Sequence, residues 1–168
     1  MLVSELSADR RILLIGQAPG PNTDPGEPLP LEPRSSTAGR LCMFIGVHPN
    51  QFRGQVQRVN LLQYHPGRRR HHDRFPEREG RVAAQAMMPL LSGRAVVLLG
   101  RKVAKAFGAE NAPFHEWLVP SWCSYFAVAP HPSGRNHWYN DEGNRRECRE
   151  FWQEALGDQK LLRRLLRA

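Results

Sequence analysis

Short apolar runs alternate along the chain with segments in which apolar residues recur at helical spacing. The apolar runs are rich in β-branched or aromatic residues, and three of the four lead directly into glycine or proline, as buried strands commonly do. The predicted strands are Arg11–Ile15, Val56–Leu62, Ala95–Leu99 and Tyr125–Ala129. The predicted helices are Thr37–Ile45, Glu77–Leu91, Arg101–Phe107, Arg145–Leu156 and Asp158–Leu166. Strands that alternate with helices need crossover connections, so we expect an α/β fold, a three-layer sandwich with a central four-stranded parallel sheet.

Two segments have no regular pattern. Pro19–Pro33 contains six prolines and two glycines, and proline lacks the N–H group that a helix or an inner strand needs. His65–Arg78 is rich in arginine and histidine. Loops of this length in a compact domain are usually functional or disordered, and the basic one is suited to phosphate contact.

The composition narrows the class of protein. The chain has 168 residues, with 24 Lys or Arg against 16 Asp or Glu, so its formal net charge is +8. We expect one domain, residues 1–168, and a polyanionic partner. Three widely spaced cysteines exclude a disulfide framework and paired-cysteine zinc sites, and they fit a reducing compartment. Without a signal-peptide pattern or an apolar run of about 20 residues, we expect a cytoplasmic protein without membrane contact, and we favour a monomer.

Polar and turn-forming residues follow the predicted strands. Gly16–Gly20 follows the first strand, Asn60 lies at the end of the second, Gly100 follows the third and Pro130–Asn136 follows the fourth. Ligands of an open parallel sheet bind at the carboxyl ends of its strands. We therefore expect these residues to converge on one binding site.

Several well-known catalytic motifs are absent from the sequence. The chain has no G-x-x-x-x-G-K-S/T phosphate loop, and no G-x-G-x-x-G dinucleotide motif follows the first strand. It also lacks the G-x-S-x-G nucleophile elbow and the H-x-E plus P-C-x-x-C pattern of zinc deaminases. No metal and no cofactor are expected.

The motifs at the strand ends resemble the uracil-DNA glycosylase superfamily, and are closest to its family-four bacterial branch. Gly16-Gln17-Ala18-Pro19-Gly20 is similar to the G-E-A-P-G motif of that branch, and Asp24 stands where the branch has an aspartate. Four further matches follow in the same order over most of the chain: Pro33–Leu41, Arg58–Leu62, Ala95–Phe107 and His131–Ser133. The resemblance implies a DNA glycosylase that flips uracil, or a related deaminated base, and hydrolyses its N-glycosidic bond.

The resemblance assigns a role to each motif. Asn60 would read the base, since its amide can accept from uracil N3–H and donate to O4. His131 would stabilise the departing base anion, and Gln17 or Asp24 would hold the attacking water. The residues implied to touch the base are Gly16, Ala18, Pro19, Gly20 and Arg34, the last standing where the family has a stacking aromatic residue. The residues implied to touch DNA are Arg68, Arg69, Arg70, His72, Ser133, Gly134 and Arg135.

The sequence departs from family four at three points. Gln17 replaces a glutamate, Arg34 replaces an aromatic residue, and the four cysteines of an iron–sulfur cluster are missing. These changes favour, as an alternative, a nucleic-acid-binding member with weak or no catalysis. A cross-linking branch carries K-R-R-I-H after the second strand, and Arg68–His72 stands there, so covalent attack by His72 is a further alternative.

Several of these residues also have an ordinary structural interpretation. Asp24 could bond its own backbone in the proline-rich loop, Asn60 could cap a turn, and His131 could be a plain turn residue. Arg34 and the Arg68–His72 run could be solvated side chains. The basic amphipathic tail Leu161–Arg167 could cover its own domain, or bind a membrane surface or a partner.

Overall fold

The computed structural model describes residues 12–24, 26–69, 72–134 and 136–157, and leaves aside the side chains of 69, 72 and 73. The strands, in chain order, are β1 (Ile12–Gly16), β2 (Val56–Asn60), β3 (Arg68–Arg69), β4 (His72–Asp73), β5 (Ala95–Leu99) and β6 (Tyr125–Ala129). The α-helices are α1 (Thr37–Ile45), α2 (Pro49–Gln55), α3 (Glu77–Met87), α4 (Arg101–Ala106) and α5 (Glu142–Gly157), and two 3-10 turns span Met88–Leu90 and His137–Asn140.

The centre of the protein is a four-stranded sheet in the order β2-β1-β5-β6, in which all neighbouring strands are parallel. This confirms the predicted α/β class and the parallel sheet. The register pairs Ile12 with Val56 and Gly16 with Asn60, so β1 and β2 end at the same level. From β1 the chain turns first to β2 on one side and later to β5 on the other. Such a reversal opens a crevice between the carboxyl ends of β1 and β5.

Both faces of the sheet are covered, because alternate residues of each strand point to opposite sides. On one face Ile12 and Leu14 pack among side chains of α1, α2 and α5, with Trp152 fully buried. On the other face Leu13 and Ile15 pack among side chains of α3 and α4. The two apolar clusters make the structure a three-layer sandwich, and they explain why the central strands are nearly continuous apolar runs.

The four predicted strands, and the four predicted helices that lie within the described residues, are confirmed with small changes in their ends. The second strand stops at Asn60, and the predicted helix over Glu77–Leu91 ends at Met87. The chain continues there as a 3-10 turn because Pro89 has no N–H for the next helical hydrogen bond. The last described helix begins at Glu142, three residues before its predicted start. Arg11 and the predicted helix Asp158–Leu166 lie outside the described residues.

The sequence patterns do not predict α2, the β3–β4 hairpin or the 3-10 turn at His137–Asn140. Helix α2 is seven residues long and buries only Phe52, so it has almost no apolar periodicity. It begins with His48 as its N-cap, whose Nδ1 accepts a hydrogen bond from Asn50 N, and with Pro49 in the first turn. The hairpin has only two residues in each strand, which is too short for a pattern of period two.

The described part of the proline-rich segment contains no helix or strand, as predicted, and it is anchored on α1. Ser36 caps this helix by accepting from Gly39 N, and its hydroxyl donates to Pro30 O at 2.6 Å. Gly39 itself touches the segment, since a Cβ atom there would lie 2.6 Å from Leu31 O and 2.8 Å from Pro33 O. The segment therefore lies close against the first turn of α1.

No helix among the described residues is long and apolar enough to cross a bilayer.

The contact at Gly39 gives a test of the fold. We expect Gly39→Ala to lower the free energy of unfolding by about 1–3 kcal/mol, because the new methyl group meets backbone atoms that cannot rotate away. Gly54→Ala is the matched control: it lies in α2 with open space around it, so it should be neutral or stabilise by up to about 1 kcal/mol. Urea unfolding of both variants makes the comparison, and equal stabilities would contradict the close approach.

Candidate functional site

A cleft of about 920 Å³ lies at the carboxyl edge of the sheet, at the crevice between β1 and β5. It is lined by the residues that follow β1, β5 and β6, by the first residue of α1 and by the approach to β3. The lining residues are Gln17–Gly20, Thr37, His65, Pro66, Arg68, Leu99–Lys102, Phe114, Pro130, His131, Ser133, Gly134, Asn136 and Trp138. Three of the four predicted strand-end segments thus meet in one cavity.

The loop after β1 is fixed by backbone hydrogen bonds to the chain that leaves β2. Leu61 N donates to Gly16 O at 2.8 Å, and Leu62 N donates to Gln17 O at 3.0 Å. On the cleft side, His65 Nδ1 lies 3.2 Å from Pro19 O. These contacts present the predicted residues Gln17, Ala18, Pro19 and Gly20 to the cavity on a defined backbone.

His131 is half-buried and lines the cleft beside Gly100. Its backbone carbonyl accepts from Ser133 N at 2.9 Å and from Asn136 Nδ2 at 2.8 Å, so the turn that carries it is tightly closed. A Cβ atom on Gly100 would lie 3.0 Å from His131 Cβ, and the φ of Gly100 is +91°. A glycine just after β5 therefore adopts the positive φ without strain and leaves room for the histidine side chain.

Asn60 lies at the end of β2 as predicted, but it is 5% exposed and does not line the cleft. Its side chain lies next to Gly16, where a Cβ atom would be 2.8 Å from Asn60 Oδ1 and 2.7 Å from Leu29 Cδ2. Leu29 and Asn60 therefore approach the same spot above the end of β1. Asn60 Oδ1 is buried, and it finds no hydrogen-bond partner among the residues that the structure describes.

The structure does not bring Asp24 or Arg34 to this cavity. Asp24 is exposed, and its Oδ1 accepts from Gly26 N at 2.8 Å, which is the local backbone bond that its position in a proline-rich loop also predicted. Arg34 is exposed on the turn before α1. Neither residue is among those lining the cleft.

The residues predicted to touch DNA are placed only in part. Arg68, Ser133 and Gly134 line the cleft. The side chains of Arg69 and His72 are not described, and Arg70 and Arg135 lie outside the described residues altogether. Cross-linking through His72 therefore stays a prediction.

Sequence patterns missed one wall of the cleft, which is formed by Phe114, Trp138 and Arg101. Phe114 and Trp138 meet edge to face at 5.9 Å between ring centroids, and the Arg101 guanidinium carbon lies 3.8 Å above the Phe114 ring. Phe114 comes from the loop between α4 and β6, and this loop is held beside β6 by single bridges from Phe114 to Val128 and from Leu118 to Phe126. The only sequence signal is a high density of aromatic residues in this loop, which does not show where they point.

His115 supports this aromatic wall from behind. Its side chain is 2% exposed and lies between the rings of Trp138 and Phe151, at centroid distances of 5.2 and 5.1 Å. Its Nδ1 lies 2.9 Å from Glu147 Oε1 on α5, while its Nε2 is buried and finds no partner within the described ranges. Burial lowers the pKa of His115, and hydrogen bonding and charge attraction from the Glu147 carboxylate offset part of that effect.

The charge of the lining is strongly one-sided. The described lining residues include Arg68, Arg101, Lys102 and two histidines, and they include no aspartate or glutamate. Within the described ranges there is also no group of three or more His, Cys, Asp or Glu side chains arranged to hold a metal ion. The cleft is therefore suited to a ligand that carries negative charge and can also form hydrogen bonds.

Neither a protein-family model nor a curated protein matches this chain.

The buried histidine gives a prediction on the stability of the wall. An unfolded chain binds a proton at an ordinary histidine pKa of about 6.5, and folded His115 binds one less readily, so acid favours the unfolded state. The stabilising contribution of the neutral side chain is therefore complete above about pH 7 and is lost as the pH falls below it. His115→Asn should reduce the fall in unfolding free energy between about pH 7 and pH 5, as measured by urea unfolding.

The exposed His137 provides the matched control for that measurement. His137→Asn should keep the pH dependence of the parent protein. A His115→Asn variant with an unchanged dependence would show that His115 is not held in its neutral form.

Proposed function

We propose that this protein is a DNA glycosylase of the uracil-DNA glycosylase superfamily, which hydrolyses the N-glycosidic bond of uracil or a related deaminated base. The observation that carries the proposal is the buried Oδ1 of Asn60 at the carboxyl edge of the sheet, which has no hydrogen-bond partner among the described residues. Leaving a buried acceptor without a donor costs about 1–3 kcal/mol. A ligand N–H group at this position removes that cost.

An amide is suited to recognition of uracil. Asn60 accepts from the N3–H of uracil through Oδ1 and donates to O4 through Nδ2. Cytosine offers the opposite pattern along this edge, with an acceptor at N3 and a donor at C4, so the amide in this orientation rejects it. Because Asn60 does not line the open cleft and Leu29 packs beside it above Gly16, entry of the base requires the Leu29 side chain to move.

His131 lines the cavity just after the end of β6, so that β1 and β5 lie between it and Asn60 at the end of β2. Breaking the glycosidic bond develops negative charge on the departing base and positive charge on the sugar. An imidazole N–H that donates to O2 of the base stabilises that charge as an oxyanion hole does. The hydrogen bonds from Ser133 N and Asn136 Nδ2 to the His131 carbonyl hold the backbone of this residue in place before the reaction begins.

Water is handled by Gln17 in this proposal. Gln17 lines the cleft, and its amide can orient a water molecule by accepting a hydrogen bond, although it cannot take up a proton as a carboxylate does. The proposed enzyme therefore relies on departure of the base more than on activation of water. Asp24, which bonds its own loop, has no part in this step.

DNA is the proposed partner because the protein is positively charged and because a nucleotide has to enter the cleft. A base inside a duplex cannot enter a cleft, so the nucleotide must leave the stack. The formal charge of +8 and the basic lining favour contact with the phosphate backbone of the strand that delivers it.

A second candidate function is a nucleic-acid-binding protein of the same superfamily with little catalysis. The observation in its favour is the absence of any carboxylate among the described lining residues, together with Gln17 where family four has a glutamate. Such a protein would bind uracil-containing DNA with a strong dependence on salt and release no base.

The proposal is tested by single-turnover release of uracil from a single-stranded oligonucleotide that contains one deoxyuridine. We expect His131→Ala to slow release about 100- to 1000-fold, because one donor to the developing anion is lost. Asn60→Ala should reduce release by at least as much, because the base is no longer held by its edge. Asn50→Ala and His137→Ala, at exposed positions, are the matched controls and should leave the rate unchanged.

Release that survives both Asn60→Ala and His131→Ala would overturn these roles. Tight, salt-sensitive binding of the same oligonucleotide without release by the unaltered protein would establish the second candidate instead. Thermal unfolding of each variant shows whether a loss of release reflects a loss of fold.

A further inference from the structure

Arg101 is a cation in the wall of the cleft that is held by three contacts. Its Nη1 donates to the backbone carbonyl of Glu110 at 3.1 Å and also to that of Ala112. Its guanidinium carbon lies 3.8 Å above the centre of the Phe114 ring, within the range of a cation–π contact. An arginine with this set of contacts has lost most of its side-chain freedom before any ligand arrives.

These contacts occupy only one part of the guanidinium group. A guanidinium carries five N–H donors in a planar fork, and Nη1 is the one nitrogen of Arg101 with hydrogen-bond partners in the described part of the chain. The Nε and Nη2 groups form an edge that suits a planar or tetrahedral oxyanion, which arginine binds through two parallel hydrogen bonds. Because the fork is already ordered, binding there costs less conformational entropy than binding by a mobile side chain.

The surroundings select an anion rather than a neutral ligand. Lys102 follows Arg101 in the first turn of α4, Arg68 comes from the hairpin, and all three line the same cleft. No described lining residue carries a negative charge. In a nucleic acid, the group with this chemistry is the phosphodiester.

The platform beneath the guanidinium is itself fixed. Phe114 contacts Trp138 edge to face, and His115, the next residue, is held by Glu147 on α5. The wall is therefore tied to two elements, β6 and α5, that also build the core. Movement of the anion site relative to the sheet edge is restricted by these contacts.

We propose that Arg101, held on Phe114, binds a backbone phosphate next to the nucleotide that enters the cleft. The identity of that nucleotide rests on the proposed function, whereas the phosphate contact itself does not depend on glycosidic cleavage. Arg101 thereby fixes where the strand passes the cavity and how far a nucleotide can reach towards the end of β1.

The test is binding of a single-stranded oligothymidylate, which contains no uracil, measured by fluorescence anisotropy at several salt concentrations. Arg101→Gln keeps an amide donor for the carbonyls of Glu110 and Ala112 but removes the charged fork. We expect it to weaken binding about ten- to a hundredfold and to reduce the slope of log K against log salt by about 0.7, the value for one phosphate on a single strand. Lys105→Gln is the matched control, since Lys105 is paired with Glu77 at 2.8 Å and does not line the cleft, and it should change little.

Two further variants separate the role of the platform from that of charge alone. Arg101→Lys keeps the charge but not the fork, and should restore only a minor part of the affinity. Phe114→Leu keeps the arginine and removes the aromatic platform, and should weaken binding less than Arg101→Gln does. Equal binding by Arg101→Gln and Lys105→Gln, or full restoration by Arg101→Lys, would overturn the proposal.

Phosphate binding and uracil release are separated by measuring both in the Arg101→Gln variant. A protein that releases no uracil but loses oligothymidylate binding on Arg101→Gln has the phosphate site without the glycosylase. A protein that releases uracil and binds oligothymidylate normally after Arg101→Gln has the glycosylase without this phosphate site.

Discussion

The site depends on one constraint, the common register of the four parallel strands. Because β1 and β2 pair residue by residue up to Gly16 and Asn60, and β5 pairs with β6 up to Leu99 and Ala129, every strand delivers its next residue at the same edge. The reversal of strand order between β1 and β5 then leaves a crevice between two of these ends. A slip of one residue in β2 would turn Asn60 to the opposite face of the sheet.

Close packing at this edge of the sheet restricts which residues can occupy it, as the strand register does. Gly16 has room only for its hydrogen atoms, since Leu29 approaches from the proline-rich segment and the Asn60 amide from β2. Gly100 makes the corresponding space for His131 at the end of β5. The segment that carries Leu29 is in turn held against α1 at Gly39. The apolar layer between α1 and the sheet thus determines the environment of Asn60, whose buried Oδ1 accepts from no donor in the part of the chain that the structure describes.

The sequence predicted the sheet well because the strand signal is local. Runs such as Ala95–Leu99 are apolar throughout and end at a glycine, and a strand buried on both faces has no other pattern. From four such runs, the rule that ligands bind at carboxyl ends was enough to predict that residues 17–20 share a cavity with His131, Ser133 and Gly134. The short helix α2 escaped prediction because seven residues with one buried side chain carry no period.

What the sequence could not predict depends on contacts between distant parts of the chain. The stacking of Arg101 on Phe114 joins the first turn of α4 to the loop that follows this helix, and no sequence pattern in either segment shows it. The same holds for Asp24, whose carboxylate could bond its own loop or face the cavity, and for the burial of Asn60 beside Leu29. In each case, the type of residue was consistent with several environments, and only the folded chain distinguishes them.

The proposed function requires that the amide of Asn60 and the imidazole of His131 hold one pyrimidine between them. A crystal structure of the protein with free uracil tests it most directly. We expect a uracil ring with N3–H within hydrogen-bond distance of Asn60 Oδ1, O2 near the His131 imidazole, and the Leu29 side chain displaced from its position above Gly16. A ring bound elsewhere in the cleft, with Asn60 still buried beside Leu29, would contradict it.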